Sequence, residues 1–244
     1  MKKYLFTPAM LACAFLVNAQ IKQGTIIYER RVDVHRRMED EQMKAMVPQF
    51  QTTKNELIFS DSVSVYKAIA EDKAPDPFDD GNGGRIMIKI GGPGDNAVLY
   101  KNYTNQKFLE QTELADKDYV IDDTIKAQPW KLSDETKTVL GHVCKKATMK
   151  TERGNNVIAW YTEDIPAPVG PETFAGLPGA ILLADVNNAE MVYAATEIKN
   201  ELDSKELQEP SKGKHISRAD FQKKLDDMFG PATPDGRRMI KVDN

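Results

Sequence analysis

The feature of this sequence that most constrains its fold is a turn-rich stretch, residues 160–182, that separates two apolar runs. It contains four prolines and three glycines. Proline fixes its own φ and has no N–H group, whereas glycine adopts backbone angles that other residues avoid. Trp160 and Tyr161 lead into this stretch, and an apolar run leaves it. We therefore predict a sterically fixed crossing between two strands, here called the corner segment (residues 160–182).

The N-terminus has the pattern of a secretory signal peptide. Lys2 and Lys3 precede an apolar stretch, residues 4–17, that is too short to span a bilayer. We predict a signal peptide over residues 1–19 and an exported protein that is periplasmic, outer-membrane associated or secreted. Acylation of Cys13, as in a lipoprotein, is the alternative. No later run has the length of a membrane helix, so we expect no transmembrane segment in the mature chain.

Charge and cysteine content exclude some classes of function. The net charge is −4 and becomes more negative once Lys2 and Lys3 are removed. An acidic chain does not favour nucleic acid as a partner, and we expect none. Cys13 leaves with the signal peptide, so Cys144 has no partner for an intrachain disulfide. Its simplest role is that of a small buried residue on a strand.

Alternation of apolar and polar residues predicts a mainly β (α+β) fold. The sheet is expected to be antiparallel, because no βαβ rhythm occurs. A short N-terminal helix is predicted over residues 36–46, and a C-terminal helix starts at Ser217, where Asp220 completes a capping box. Residues 20–229 form one domain, and 230–244 a polar tail. The predicted strands are 24–34, 56–60, 62–68, 85–90, 97–103, 107–114, 118–123, 137–151, 156–162, 179–185 and 190–199.

The enzyme motifs that can be tested are absent: a Gly-x-Ser-x-Gly elbow, a His-Glu-x-x-His helix, a phosphate-binding loop and a Cys-x-x-Cys pair. We therefore expect no enzyme activity and no cofactor. Two weak metal sites are considered. His142 and Cys144 share a strand face at period two, although two ligands do not make a site. An acidic loop with calcium-type oxygens departs from EF-hand spacing and reads more simply as a hairpin loop; its residues are Asp76, Asp79, Asp80 and Asn82.

Several short motifs resemble the GLPGLI family of exported bacterial proteins. The hexapeptide at residues 176–181, Trp130 with Leu132, and the run 141–147 match its pattern, as do residues 160–162, 165–166, 170–171 and 174 of the corner segment. The resemblance implies a mostly antiparallel β architecture, with a strongly curved sheet or an open half-barrel similar to those of periplasmic carriers. It also implies an association with TonB-dependent outer-membrane receptors. The family has no established activity.

The leading hypothesis is a non-enzymatic envelope protein that binds an envelope protein, such as a TonB-dependent receptor, or an apolar ligand. A metal-binding periplasmic protein and an envelope hydrolase with dispersed carboxylates are the alternatives. The corner segment serves either as architecture or as a binding surface. In the second case Trp160 belongs to the core, while Tyr161 and Phe174 lie nearer the ligand. The candidate residues are Trp160, Tyr161, Ile165, Pro166, Gly170, Pro171, Phe174, Gly176, Leu177, Pro178 and Gly179.

Overall fold

The structure is a computed structural model that describes residues 20–38, 40–69 and 97–231. The signal segment, the strand predicted at 85–90, the acidic loop with Asp76, Asp79, Asp80 and Asn82, and residues 232–244 lie outside the described residues.

The described residues form twelve strands in one open sheet. Its order is β12-β6-β5-β4-β3-β2-β1-β11-β10-β9-β8-β7. The prediction of a mainly β, open and largely antiparallel fold is confirmed. The strands are β1 Gly24–Asp33, β2 Phe50–Phe59, β3 Val63–Ala68, β4 Val98–Asn102, β5 Lys107–Leu114, β6 Lys117–Thr124, β7 Lys131–Val139, β8 His142–Lys150, β9 Asn156–Thr162, β10 Ala180–Val186, β11 Met191–Lys199 and β12 Lys214–Ser217.

Two helical predictions have different outcomes. The helix predicted over 36–46 is split into a 3₁₀ turn, His35–Arg37, and helix α1, Glu41–Met46. Asp40 begins α1 by accepting hydrogen bonds from two backbone N–H groups of its first turn. Helix α2, Arg218–Phe229, starts at Ser217 as predicted, where the Ser217 hydroxyl accepts from the Asp220 N–H at 3.1 Å. A second 3₁₀ turn spans Ser204–Leu207.

The strand predicted over 137–151 is wrong, because the chain turns back on itself within that range. Leu140 and Gly141 have φ values of 50° and 83°, which belong to a tight hairpin turn. The run is therefore divided between β7 and β8, which pair antiparallel. The sequence also missed β12, which pairs parallel with β6 immediately before α2.

The corner segment connects β9 to β10 and covers one face of the sheet. The largest apolar cluster lies beneath it and includes Ile26, Leu57 and Ile181, each fully buried. Helix α2 buries Phe221 and Leu225 against the β5–β6 end. In the three described ranges, we find no helix with both the length and the hydropathy needed to cross a membrane.

Candidate functional site

The corner segment packs on one face of the sheet, and its apolar side chains are buried. Ile165 and Val169 have no exposed surface, and Leu177 is 2% exposed. Backbone hydrogen bonds join the segment to the start of β10: the Ile181 N–H donates to the Val169 carbonyl at 3.0 Å, and the Ala180 N–H to the Ile165 carbonyl at 2.9 Å. These side chains fill the sheet face, so they form core and not an open apolar groove.

Two glycines in the corner segment meet different steric demands. Gly176 has a φ of 85°, which a residue with a Cβ rarely adopts. Gly179 passes so close to β9 that a Cβ would lie 2.0 Å from the Thr162 carbonyl oxygen. Gly170 also has no space for a Cβ, which would lie 2.8 Å from Ile181 Cδ1.

The predicted faces of the aromatic pair are reversed. Tyr161 is 2% exposed and belongs to the main cluster. Trp160 is half-buried, with Lys137 Nζ 5.0 Å above its ring. Phe174 is also buried, between Trp130 and Tyr193 at centroid distances of 6.4 and 5.8 Å. The assignment of Trp160 to the core, and of Tyr161 and Phe174 to a ligand surface, is therefore wrong.

A polar cluster lies where the corner segment meets the sheet. Its members are Arg30 on β1, Tyr66 on β3, Lys101 on β4, Tyr193 on β11 and Glu172 in the corner segment; we call it the Glu172 cluster. Arg30 is directly opposite Tyr193 in the β1–β11 ladder, so both project from the same face. Arg30 Nε lies 3.2 Å from Glu172 Oε1, and their side chains are 15% and 33% exposed. The ion pair therefore reaches the rim of the covered face.

Lys101 lies beneath the same part of the corner segment and is 3% exposed. Its Nζ donates to the carbonyls of Glu172 at 2.5 Å and Phe174 at 3.3 Å. Burial lowers the pKa of Lys101 to about 7, and the Glu172 carboxylate acts in the opposite direction. Glu172 itself has a φ of 49°, a sparsely populated conformation for a residue other than glycine. The buried amine of Lys101 therefore contacts the turn in which Glu172 has this sparsely populated backbone conformation.

The Tyr66 hydroxyl is buried and has no hydrogen-bond partner within the described part of the chain. Burial, and then the Glu172 carboxylate, raise the pKa values of Tyr66 and Tyr193. Both tyrosines therefore remain neutral donors at neutral pH. Only the Glu172 carboxylate and the Arg30 guanidinium keep exposed surface, and such a pair can both accept from and donate to a ligand rich in hydroxyl groups.

The predicted metal residues do not assemble into a site among the described residues, which contain no group of three or more potential His, Cys, Asp or Glu ligands. His142 Nδ1 lies 2.8 Å from Asp164 Oδ2. Cys144 is fully buried, and burial raises the pKa of its thiol to about 11. A buried neutral thiol is a packing residue and a poor metal ligand.

Sequence reasoning missed all five members of the Glu172 cluster. They come from four strands and one loop, with no motif spacing to connect them. The available signal was Lys101, a charged residue that follows the apolar run Val98–Tyr100 on a strand. A charge at a core position indicates a specific partner, but the partner could be found only in the folded chain.

Comparison with known proteins relates the fold to an N-glycanase. The family described as "N-glycanase peptide, N-terminal domain" matches residues 93–223. The structure is similar to PNGF-II in its P21 crystal form, with a TM-score of 0.56 and 17% identity, covering 84% of this chain and 33% of that one. The C2 crystal form of PNGF-II has a TM-score of 0.55 and 17% identity, and the match covers 82% of this chain and 32% of that one. This chain thus spans about a third of PNGF-II. No curated protein sequence matches it.

These matches overturn two predictions. The resemblance to the GLPGLI family is wrong, since the family that matches is that of the N-glycanase domain. The hexapeptide at 176–181 contains glycines where the local backbone leaves no room for a Cβ or has a positive φ, as at Gly179 and Gly176. A local steric requirement of this kind does not identify a family. The hypothesis of a non-enzymatic envelope protein that binds a receptor or an apolar ligand is also wrong, because the family that matches is that of the N-glycanase N-terminal domain.

Proposed function

The chain belongs to the family of N-glycanase N-terminal domains, and we propose that it recognises the sugar part of N-linked glycoproteins for a protein of the N-glycanase type. The similarity to PNGF-II, at 17% identity, supports the shared fold. The chain covers a third of that protein, so the proposal concerns how the glycan is engaged.

The observation that carries this proposal is the Arg30–Glu172 pair at the rim of the Glu172 cluster. A sugar presents hydroxyl groups that donate and accept at the same time. Arg30 offers a fork of N–H donors and Glu172 two acceptor oxygens, and both side chains retain exposed surface. Tyr66 and Tyr193 are buried beside that pair, so the pair is the part of the cluster that a ligand can reach. The cluster therefore combines fixed donors and acceptors, as recognition of a neutral polyol requires.

Pre-organisation also supports a binding role. The corner segment is held by core packing, by its backbone hydrogen bonds and by Trp130 Nε1, which donates to the Ala175 carbonyl at 2.9 Å. A site mounted on a segment that is already ordered loses little conformational entropy when a ligand binds.

Calorimetric titration with an N-glycosylated protein, and with the same protein after removal of its N-glycans, tests the proposal. We expect binding to the glycosylated form alone, and a loss of at least about ten-fold in affinity for Glu172→Gln, since a hydrogen bond to a charged group contributes about 1.5–3 kcal/mol. Glu163→Gln is the matched control, because Glu163 is also a corner-segment carboxylate in an ion pair, 2.8 Å from Lys145 Nζ. Equal affinity for the two protein forms, or equal effects of the two variants, would refute the proposal.

A further inference from the structure

Side chains from outside the corner segment hold its residues 172–175, here called the Glu172 turn. The four carbonyl groups of the turn accept hydrogen bonds from three such side chains, namely Lys101, Gln128 and Trp130. Within the segment, the Phe174 N–H donates to the Pro171 carbonyl at 3.1 Å and closes the turn. The conformation of the Glu172 turn therefore depends on residues that are distant in the sequence.

Gln128 differs from the other two donors because both polar atoms of its amide bind the turn. Gln128 Nε2 donates to the Thr173 carbonyl at 3.0 Å, and Gln128 Oε1 accepts from the Ala175 N–H at 3.1 Å. A carboxamide carries a donor and an acceptor side by side, so it can match a carbonyl and an N–H of the same stretch of backbone. The two hydrogen bonds fix the peptide groups on both sides of Phe174.

The local sequence restrains the backbone that carries this amide. Gln128 lies in the connection between β6 and β7, immediately before Pro129, and a proline restricts the conformations of the residue before it. The Trp130 N–H donates to the Gln128 carbonyl at 2.8 Å, which closes a three-residue turn around the proline. Gln128 is half-buried, so its replacement leaves the core intact, unlike a replacement of Lys101.

Glu172, the first residue of the turn, needs such support. Its φ of 49° is sparsely populated for a residue with a Cβ and persists where surrounding contacts enforce it. Its carboxylate lies 3.2 Å from Arg30 Nε. Because the backbone angles of a residue set the direction of its side chain, contacts that fix the turn also fix the position of this carboxylate.

We propose that Gln128 is a positioning residue for the Glu172 carboxylate. Its amide holds residues 173–175, and this contact keeps Glu172 in the backbone conformation that places the carboxylate beside Arg30. Without the amide, the turn opens more often and the carboxylate leaves the Arg30 guanidinium for part of the time. Glycan affinity then falls. This last consequence rests on the proposed function, whereas the effect on the turn does not.

Amide hydrogen exchange, followed by NMR without any ligand, tests the effect on the turn. We expect Gln128→Leu to speed exchange of the Phe174 N–H by about five-fold or more, the ratio given by the loss of one typical hydrogen bond. The Ile181 N–H, which donates to the Val169 carbonyl outside the turn, is the internal reference and should keep its rate. An unchanged rate at Phe174, or an equal increase at both sites, overturns the proposal.

Gln128→Glu shows whether the donor itself is needed. The ionised carboxylate has nearly the size of the amide and keeps an acceptor for the Ala175 N–H, but it places a second acceptor against the Thr173 carbonyl. At pH 7 we therefore expect faster exchange at Phe174 in this variant as well. A wild-type rate would overturn the proposal, because a side chain of the right size would then suffice.

Titration with the N-glycosylated protein tests the link to binding. Gln128→Leu should lower the affinity by no more than Glu172→Gln does, and it should add little to the loss in the double variant, because it acts through Glu172. Gln49→Leu is the matched control, since the Gln49 amide donates to Asp33 at 2.9 Å, at the end of β1, and its affinity should equal that of the wild type. Fully additive losses overturn the proposal.

The two measurements separate this proposal from the proposed function. Faster exchange at Phe174 in Gln128→Leu, together with a wild-type chain that binds no glycan, refutes the proposed function and leaves the positioning role of Gln128 standing. Faster exchange at Phe174 with an unchanged glycan affinity overturns the link between Gln128 and binding.

Discussion

Tyr66→Phe is expected to make the protein more stable. The Tyr66 ring is 4% exposed and packs 6.4 Å from Tyr28, while its hydroxyl is buried with no hydrogen-bond partner in the described residues. Phenylalanine keeps the ring and removes only the oxygen. A buried polar group without a partner costs about 1–3 kcal/mol, so its removal should raise the free energy of unfolding by about 1 kcal/mol.

Two other tyrosines, whose hydroxyls have hydrogen-bond partners, are matched controls with the opposite expected sign. The Tyr28 hydroxyl donates to the Ile181 carbonyl at 2.6 Å, and the Tyr103 hydroxyl lies 2.9 Å from Ser64 Oγ. Tyr28→Phe and Tyr103→Phe each leave a buried partner unsatisfied, so each should lower the free energy of unfolding by about 1–3 kcal/mol.

Urea denaturation measures all three variants, and the midpoint should shift without a change in slope. The glycoprotein titration then measures affinity, which should be unchanged for Tyr66→Phe, because the buried hydroxyl does not reach a ligand. A Tyr66→Phe variant as destabilised as Tyr28→Phe would show that the hydroxyl already has a partner in the folded protein. A clear loss of affinity would show that the Tyr66 hydroxyl becomes accessible to the ligand.

Three further predictions concern the corner segment and its contacts. Gly176→Ala should lower the free energy of unfolding by about 1 kcal/mol, because Gly176 has a positive φ. Gly179→Ala should lower it more, because the new Cβ would collide with the β9 backbone. Melting temperatures equal to that of the wild type would refute both predictions. Tyr161→Ala should lower the free energy of unfolding by about 3–5 kcal/mol and Trp160→Ala by clearly less, since only Tyr161 is fully buried. Urea midpoints in the reverse order would refute the assignment of the two rings to their faces. Lys101 binds its proton more weakly in the folded chain than in the unfolded chain, so its burial costs most below about pH 7, where the charged form is buried. The free energy of unfolding should therefore rise by up to about 1.4 kcal/mol per pH unit between pH ~7.5 and ~10; a rise that is equally steep in Lys101→Met would exclude Lys101 as its source.

Much of the fold could be predicted because strand formation depends on short-range pattern. Alternation identified most strands, and the pairing of Ser217 with Asp220 located the start of α2. The failures occurred where a local pattern has two solutions. Residues 137–151 alternate well enough for one strand, yet Leu140 and Gly141 turn the chain there, and the short parallel strand β12 carries no period of its own.

The sequence by itself determined the properties that depend on a residue and its chain neighbours: the strand period, the helix cap and the demand for glycine in the corner segment. Tertiary structure alone decided which of Trp160 and Tyr161 enters the core. Adjacent strand residues face opposite ways, and register together with the β10 bulge between Ile181 and Leu183 selects the covered face. Tertiary structure alone also assembled the Glu172 cluster, because burial, charge pairing and backbone strain act through space between residues that are far apart in the chain.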